Sequence, residues 1–94
     1  MSFASLDPGI ERWAGAHGLR LMREEAVRFC YTSSERECFQ IVVWAPVGNR
    51  LLIENFSIET IGDEELHEAW EVSVDNLFDG LEQALKMIEV WKKR

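Results

Sequence analysis

From Leu19 to Val74 apolar residues recur at every second position, which commits the middle of the chain to a sheet with two chemically different faces. Val27, Phe29 and Tyr31 alternate with Arg28, Cys30 and Thr32. Phe39, Ile41, Val43 and Ala45 alternate with Cys38, Gln40, Val42 and Trp44. Leu52, Phe56 and Ile58 follow the turn at Val47-Gly48-Asn49-Arg50, and Trp70, Val72 and Val74 follow the polar segment Gly62-Asp63-Glu64-Glu65. Four such runs joined by short turns predict an antiparallel meander. Leu19–Met22 either starts the first run early or forms a fifth, edge strand, with Arg23-Glu24-Glu25 as a bulge or turn after it.

The flanks change period. Asp7 followed by Pro8 is a helix opening, because aspartate can cap free amides and proline is preset for the first turn. Ile10, Trp13, Ala14 and His17 then recur at helical spacing, with His17 expected on the packed face, and Gly18 closes the segment. At the other end Leu77, Phe78, Leu81, Ala84, Leu85, Ile88 and Trp91 form one apolar stripe, with Ser73 or Asp75 as the cap. Gly80 interrupts that stripe at a cost of about 1 kcal/mol relative to alanine.

A stripe needs an apolar surface to lie on, and the alternating runs supply one. The fold expected is α+β: one domain over residues 1–94, a two-layer sandwich in which a four-stranded meander, five with Leu19–Met22, carries both terminal helices on one face. The face under the helices should hold Phe29, Ile41, Phe56 and Val72, with Trp70 and Phe56 packed on Leu81, Leu85 and Ile88. The other should be partly polar, with Arg28, Gln40, Asn55, Ser57, Glu59, Glu71 and Ser73.

A tight hairpin at Gly48-Asn49 puts Trp44 opposite Ile53, with Val42 and Leu51 on the same open face. Four apolar residues from two paired strands make a partner-binding patch, rimmed by Glu59 and Glu71. The competing expectation is that Leu19–Met22 or Phe3 folds over the patch and buries it.

Charge narrows the partners. Residues 51–85 hold ten acids and no lysine or arginine, and the formal net charge is −7. A field of that sign repels phosphate backbones and anionic lipid and attracts cationic proteins or metal ions, so neither nucleic acid nor membrane is an expected partner. The longest apolar run, Ile41–Val47, is far short of the roughly 20 residues that span a bilayer. The first residues lack the pattern of a signal peptide, and two cysteines do not make a disulfide framework, so a reduced cytoplasmic protein is expected.

Candidate chemistry is sparse. Pairing Phe29 with Phe39 would set Cys30 against Cys38 on the open face, half of a redox or metal site at most. Asp63, Glu64, Glu65, His67 and Glu68 are dense in oxygen ligands but match neither calcium-loop nor zinc-helix spacing. No nucleophile, base and stabiliser stand in register, so no catalysis and no cofactor are expected. A helix, a meander and a helix on an acidic chain resemble in architecture the frataxin-like fold, secretion chaperones and immunity proteins. Pro8–Gly18 holds only Glu11, whereas frataxins concentrate acids on the first helix, and no motif matches. The expected function is a small acidic protein-binding module, adaptor, chaperone-like or immunity-like, engaging a basic or apolar protein or a second copy. The alternative is a metal-handling protein using the acidic segment 63–71.

Overall fold

The computed structural model describes residues 3–33, 37–59 and 65–92. Helix α1 (Asp7–Ala16) is followed by strands β1 (Arg20–Arg23), β2 (Val27–Ser33), β3 (Glu37–Trp44), β4 (Arg50–Glu59) and β5 (Glu65–Ser73). A single 3₁₀ turn, Val74–Asn76, leads into helix α2 (Leu77–Lys92). The strands form one antiparallel sheet in the order β1-β2-β3-β4-β5, so Leu19–Met22 does feed a fifth, edge strand. Both helices pack on one face, giving the expected α+β sandwich.

Helix α1 is short and depends on its surroundings. Leu6 occupies its N-cap without a side-chain hydrogen bond, and Pro8 sits in the first turn. Asp7 is therefore not the cap: its carboxylate reaches across to the sheet and accepts from the Arg28 guanidinium at 2.8 Å and 3.1 Å. Ser73, before the 3₁₀ turn, likewise makes no capping side-chain bond. Gly18 has a φ of 70°, which turns the chain sharply enough for the Leu19 amide to bond the Ala14 carbonyl at 2.8 Å and start β1.

Helix α2 lies closest to the sheet at Gly80. A Cβ there would stand 2.6 Å from Ile53 Cδ1 and 3.2 Å from Val72 Cγ1. The glycine thus costs helix propensity and gains proximity, and with Ala84 one turn later it gives α2 a small-residue face. The core accommodates this with residues of modest size: Cys30, Ile41, Val43, Leu51 and Ile53 from the sheet against Ile10, Leu77, Leu81, Ala84 and Ile88.

That proximity accompanies a reversal of two strands relative to the expected parity. Phe29 stands opposite Val42 rather than Phe39, and Cys30 opposite Ile41. Val43 stands opposite Ile53, not Trp44. The turn itself is as expected, since Val47 bridges Arg50 across Gly48 and Asn49, with Gly48 at a φ of 62°. Between that bridge and the Val43–Ile53 pair, however, residues 44–46 face only residues 51 and 52. One extra residue is a β-bulge, and it lies within residues 44–46, a stretch that includes Pro46, which has no N–H for the ladder. A slip of one residue moves every side chain to the other face. Asn55 and Ser57, expected in solvent, are consequently buried beneath α2, and the Asn55 amide donates to the Ala84 carbonyl at 2.8 Å.

Candidate functional site

The reversal of β2 and β4 assembles an apolar surface on the face that carries no helix. Alternation and register place Val27, Phe29 and Tyr31 of β2 beside Gln40, Val42 and Trp44 of β3. Leu52, Glu54 and Phe56 of β4 continue the surface, Met22 extends it on β1, and His67, Ala69 and Glu71 close it on β5. Among the described residues no helix or strand lies over it. Leu19 feeds edge strand β1, and Phe3 packs on the helix side, beneath the Arg28 guanidinium at 4.1 Å from its ring centre. Neither segment covers the face.

The expected patch of four is divided. Trp44 is on the open face and 41% exposed, and Val42 lies beside it, buried at the centre of the same face. Leu51 and Ile53 are corrected: at 3% and 0% exposure they are core residues under α2, turned inward by the bulge. Phe56 is corrected in the opposite sense. It belongs to the open face, where its ring stacks on His67 at 4.5 Å, whereas Trp70 does pack against the core. Arg28 moves to the helix side, in its pair with Asp7. Glu71 is exposed on the open face with Arg50 at 3.7 Å, and Glu59 ends β4 opposite Glu37.

Glu54, which no sequence pattern singles out, organises the polar part of the face. One carboxylate oxygen accepts from the Trp44 indole N–H at 2.5 Å and the other meets His67 Nε2 at 2.9 Å. With both oxygens engaged, Glu54 is only 17% exposed and fixes the indole and the imidazole over the sheet. Among the described residues this network holds no hydroxyl or thiol, so it orients rings rather than a nucleophile. At the end of the face nearest the bulge, an open groove of about 550 Å³ is lined by Trp44, Val47, Arg50, Leu52 and Glu71, among others. The Arg50–Glu71 pair forms part of its lining.

The other expected sites come apart. Cys30 is buried on the helix side, where burial raises its thiol from the usual 9.0 to about 11. Cys38 stands opposite Ser33, three rungs from the Cys30–Ile41 pair, so the two cysteines do not face one another. Asp63 and Glu64 lie outside the described residues. Glu65 stands opposite Ile58, while His67 and Glu68, adjacent on β5, alternate to opposite faces of the sheet. Among the described residues no three metal-ligating side chains converge. His17 is not a core residue: it follows α1, partly exposed, and meets Glu82 at 3.2 Å. The Trp13 indole donates to the same carboxylate at 2.8 Å and, with His17, holds Glu82 below the usual carboxylate range, clamping α1 to α2. Among the described residues no helix is long and apolar enough to cross a membrane.

Comparison of the chain with protein-family models, with curated proteins and with solved structures finds no match.

Proposed function

We propose that this protein is a non-catalytic binding module whose uncovered sheet face docks on an apolar surface of another protein chain. The observation that carries the reading is the open face itself, where Phe29, Tyr31, Trp44 and Phe56 lie without a covering layer among the described residues. Aromatic side chains in a cluster are the commonest anchors of protein interfaces, because each buries a large area while fixing few rotors. Glu54 contributes preorganisation: it holds Trp44 and His67 in place before a partner arrives, which lowers the ordering cost of association.

The acidic residues play a separate part. Glu68, Asp75 and Asp79 are exposed but lie off this face, on the far side of β5, the 3₁₀ turn and α2. They discourage nucleic acid and anionic lipid and keep the molecule soluble while the open face makes contact. Unpaired cysteine usage supports a reducing, cytoplasmic setting.

The test is a photo-activated cross-linker placed at position 44, with position 90 on the opposite layer as the control. Val90 is 63% exposed on α2 and Trp44 41% exposed on the sheet, so the control position meets solvent at least as well. The reading expects discrete protein adducts from position 44 in cells and none from position 90. Equal labelling from both positions, or no protein adduct from position 44, would contradict it.

A further inference from the structure

We infer that the chain on this face is a second copy of the protein, the two sheets packed face to face about a two-fold axis along β3. The inference rests on the protein-binding reading and commits it to one occupant.

Area is the first argument. Five strands spaced about 4.8 Å apart, with about seven residues of 3.3 Å each in the longer ones, give a face of roughly 20 Å by 25 Å, or about 500 Å². Two such faces hide roughly 1,000 Å², which is where specific interfaces begin. Packed sheets of this kind lie about 10 Å apart with their strands nearly aligned.

Charge is the second. By register the face positions hold Arg20 and Arg50 against Glu54, Glu65 and Glu71, a balance of −1 (+2 − 3), on a chain of net charge −7. A cationic partner would be drawn to the helix side and not here. A second copy meets little such bias, since Glu68, Asp75 and Asp79 face away, separated from the contact by about one layer thickness of 10 Å, beyond a Debye length of about 8 Å.

Symmetry is the third. Strand β3 is the middle of five, so a two-fold along it superposes the whole face on itself. Gln40, Val42 and Trp44 then approach their own counterparts on the axis. β2 then lies over the partner's β4, with Tyr31 on the rung of Phe56, and Arg20 on the β1 edge lies over the β5 edge on the rung of His67.

The experiment uses the intact protein and the half-exposed Gln40, whose replacement by a charge leaves the core untouched. At about 0.1 mM, a hundredfold above a micromolar Kd, sedimentation equilibrium should give about twice the chain mass of 10.9 kDa. Gln40→Glu and Gln40→Lys should each weaken self-association at least tenfold, because like charges meet across the axis, and an equimolar mixture of the two should restore the dimer. Val90→Glu on α2 should have no effect. A parent protein of 10.9 kDa at that concentration would overturn the second copy as occupant, and so would Gln40 variants as dimeric as the parent. The broader protein-binding reading fails on a different result, the absence of adducts from position 44.

Discussion

Beneath α2 the sheet presents Ile41, Val43, Leu51 and Ile53, with Asn55 and Ser57 sealed among them, whereas its other side presents Phe29, Tyr31, Trp44 and Phe56 with no helix or strand above them among the described residues. A single-layer protein with this sequence would put the aromatics inside and the small polar groups outside. The inversion has a physical cause. Gly80 brings the backbone of α2 so close to Ile53 and Val72 that side chains of moderate size fit beneath it, and the Asn55 amide bonds the Ala84 carbonyl. The large rings occupy the side with no ceiling. On the helix side packing fixes each residue, and on the open side the Glu54 hydrogen bonds, cross-strand stacking and the Arg50–Glu71 pair act instead. Stability therefore resides on the helix-covered face, and the proposed association would use the other.

The largest consequence is an asymmetry between the two faces of β4. Ile53→Ala removes a fully buried side chain and should destabilise the protein by about 3 to 4 kcal/mol. Phe56→Ala, three residues on and on the open face, should cost about 1 kcal/mol when unfolding is followed at high dilution. Denaturant titrations of the two variants decide the matter, since equal losses would mean that something covers the open side.

Cys30 extends the comparison to pH. Its thiol stays neutral in the folded state up to about 11, whereas in the unfolded chain it ionises near 9.0. The raised folded value means that its contribution is complete below pH 9.0 and is lost as pH rises toward about 11, because ionisation then favours the unfolded chain. The loss should be about 2 to 3 kcal/mol over that window. Cys30→Val should flatten the alkaline limb of the stability curve. A limb unchanged by that substitution would place the thiol in solvent, on the wrong face.

A smaller effect belongs to the Asp7–Arg28 pair, which ties α1 to the edge of the helix-side layer. The hydrogen bonds from Arg28 hold Asp7 below the usual carboxylate range, so its contribution is present above pH 3.8 and disappears as pH falls below it. Asp7→Asn should cost about 1 kcal/mol at neutral pH and make acid unfolding less steep. Self-association should be unaffected, because the pair lies on the covered side.

Much of the architecture was legible in the residues themselves. Period-two alternation marked the strands, the apolar stripe of 77–91 marked α2, and Gly48-Asn49 marked the tight turn. What alternation leaves open is which of the two parities faces the helices, since both sets in β2 and β4 are apolar enough to be buried. The register depended on one extra residue beside Pro46, and a proline next to a tight turn is the sequence signal of that bulge. Gly80 with Ala84 was the second signal, because a small-residue stripe calls for close approach and for partners of modest size. Trp44 and Val42 were found on the open face as expected, since β3 kept its parity. Phe29, Tyr31, Phe56 and the Glu54–His67 pair were hidden by the reversed strands.

Hydroxyl-radical footprinting over a dilution series tests the central claim most directly, because it reads each ring separately. At low concentration Phe29, Tyr31, Trp44 and Phe56 should be oxidised while Phe39 and Trp13, buried in the helix-side core, stay protected. As concentration rises the four open-face rings should become protected together, with no change at Phe39 or Trp13. Protection of the four rings at every dilution would make that face part of the monomer's own core and contradict the account.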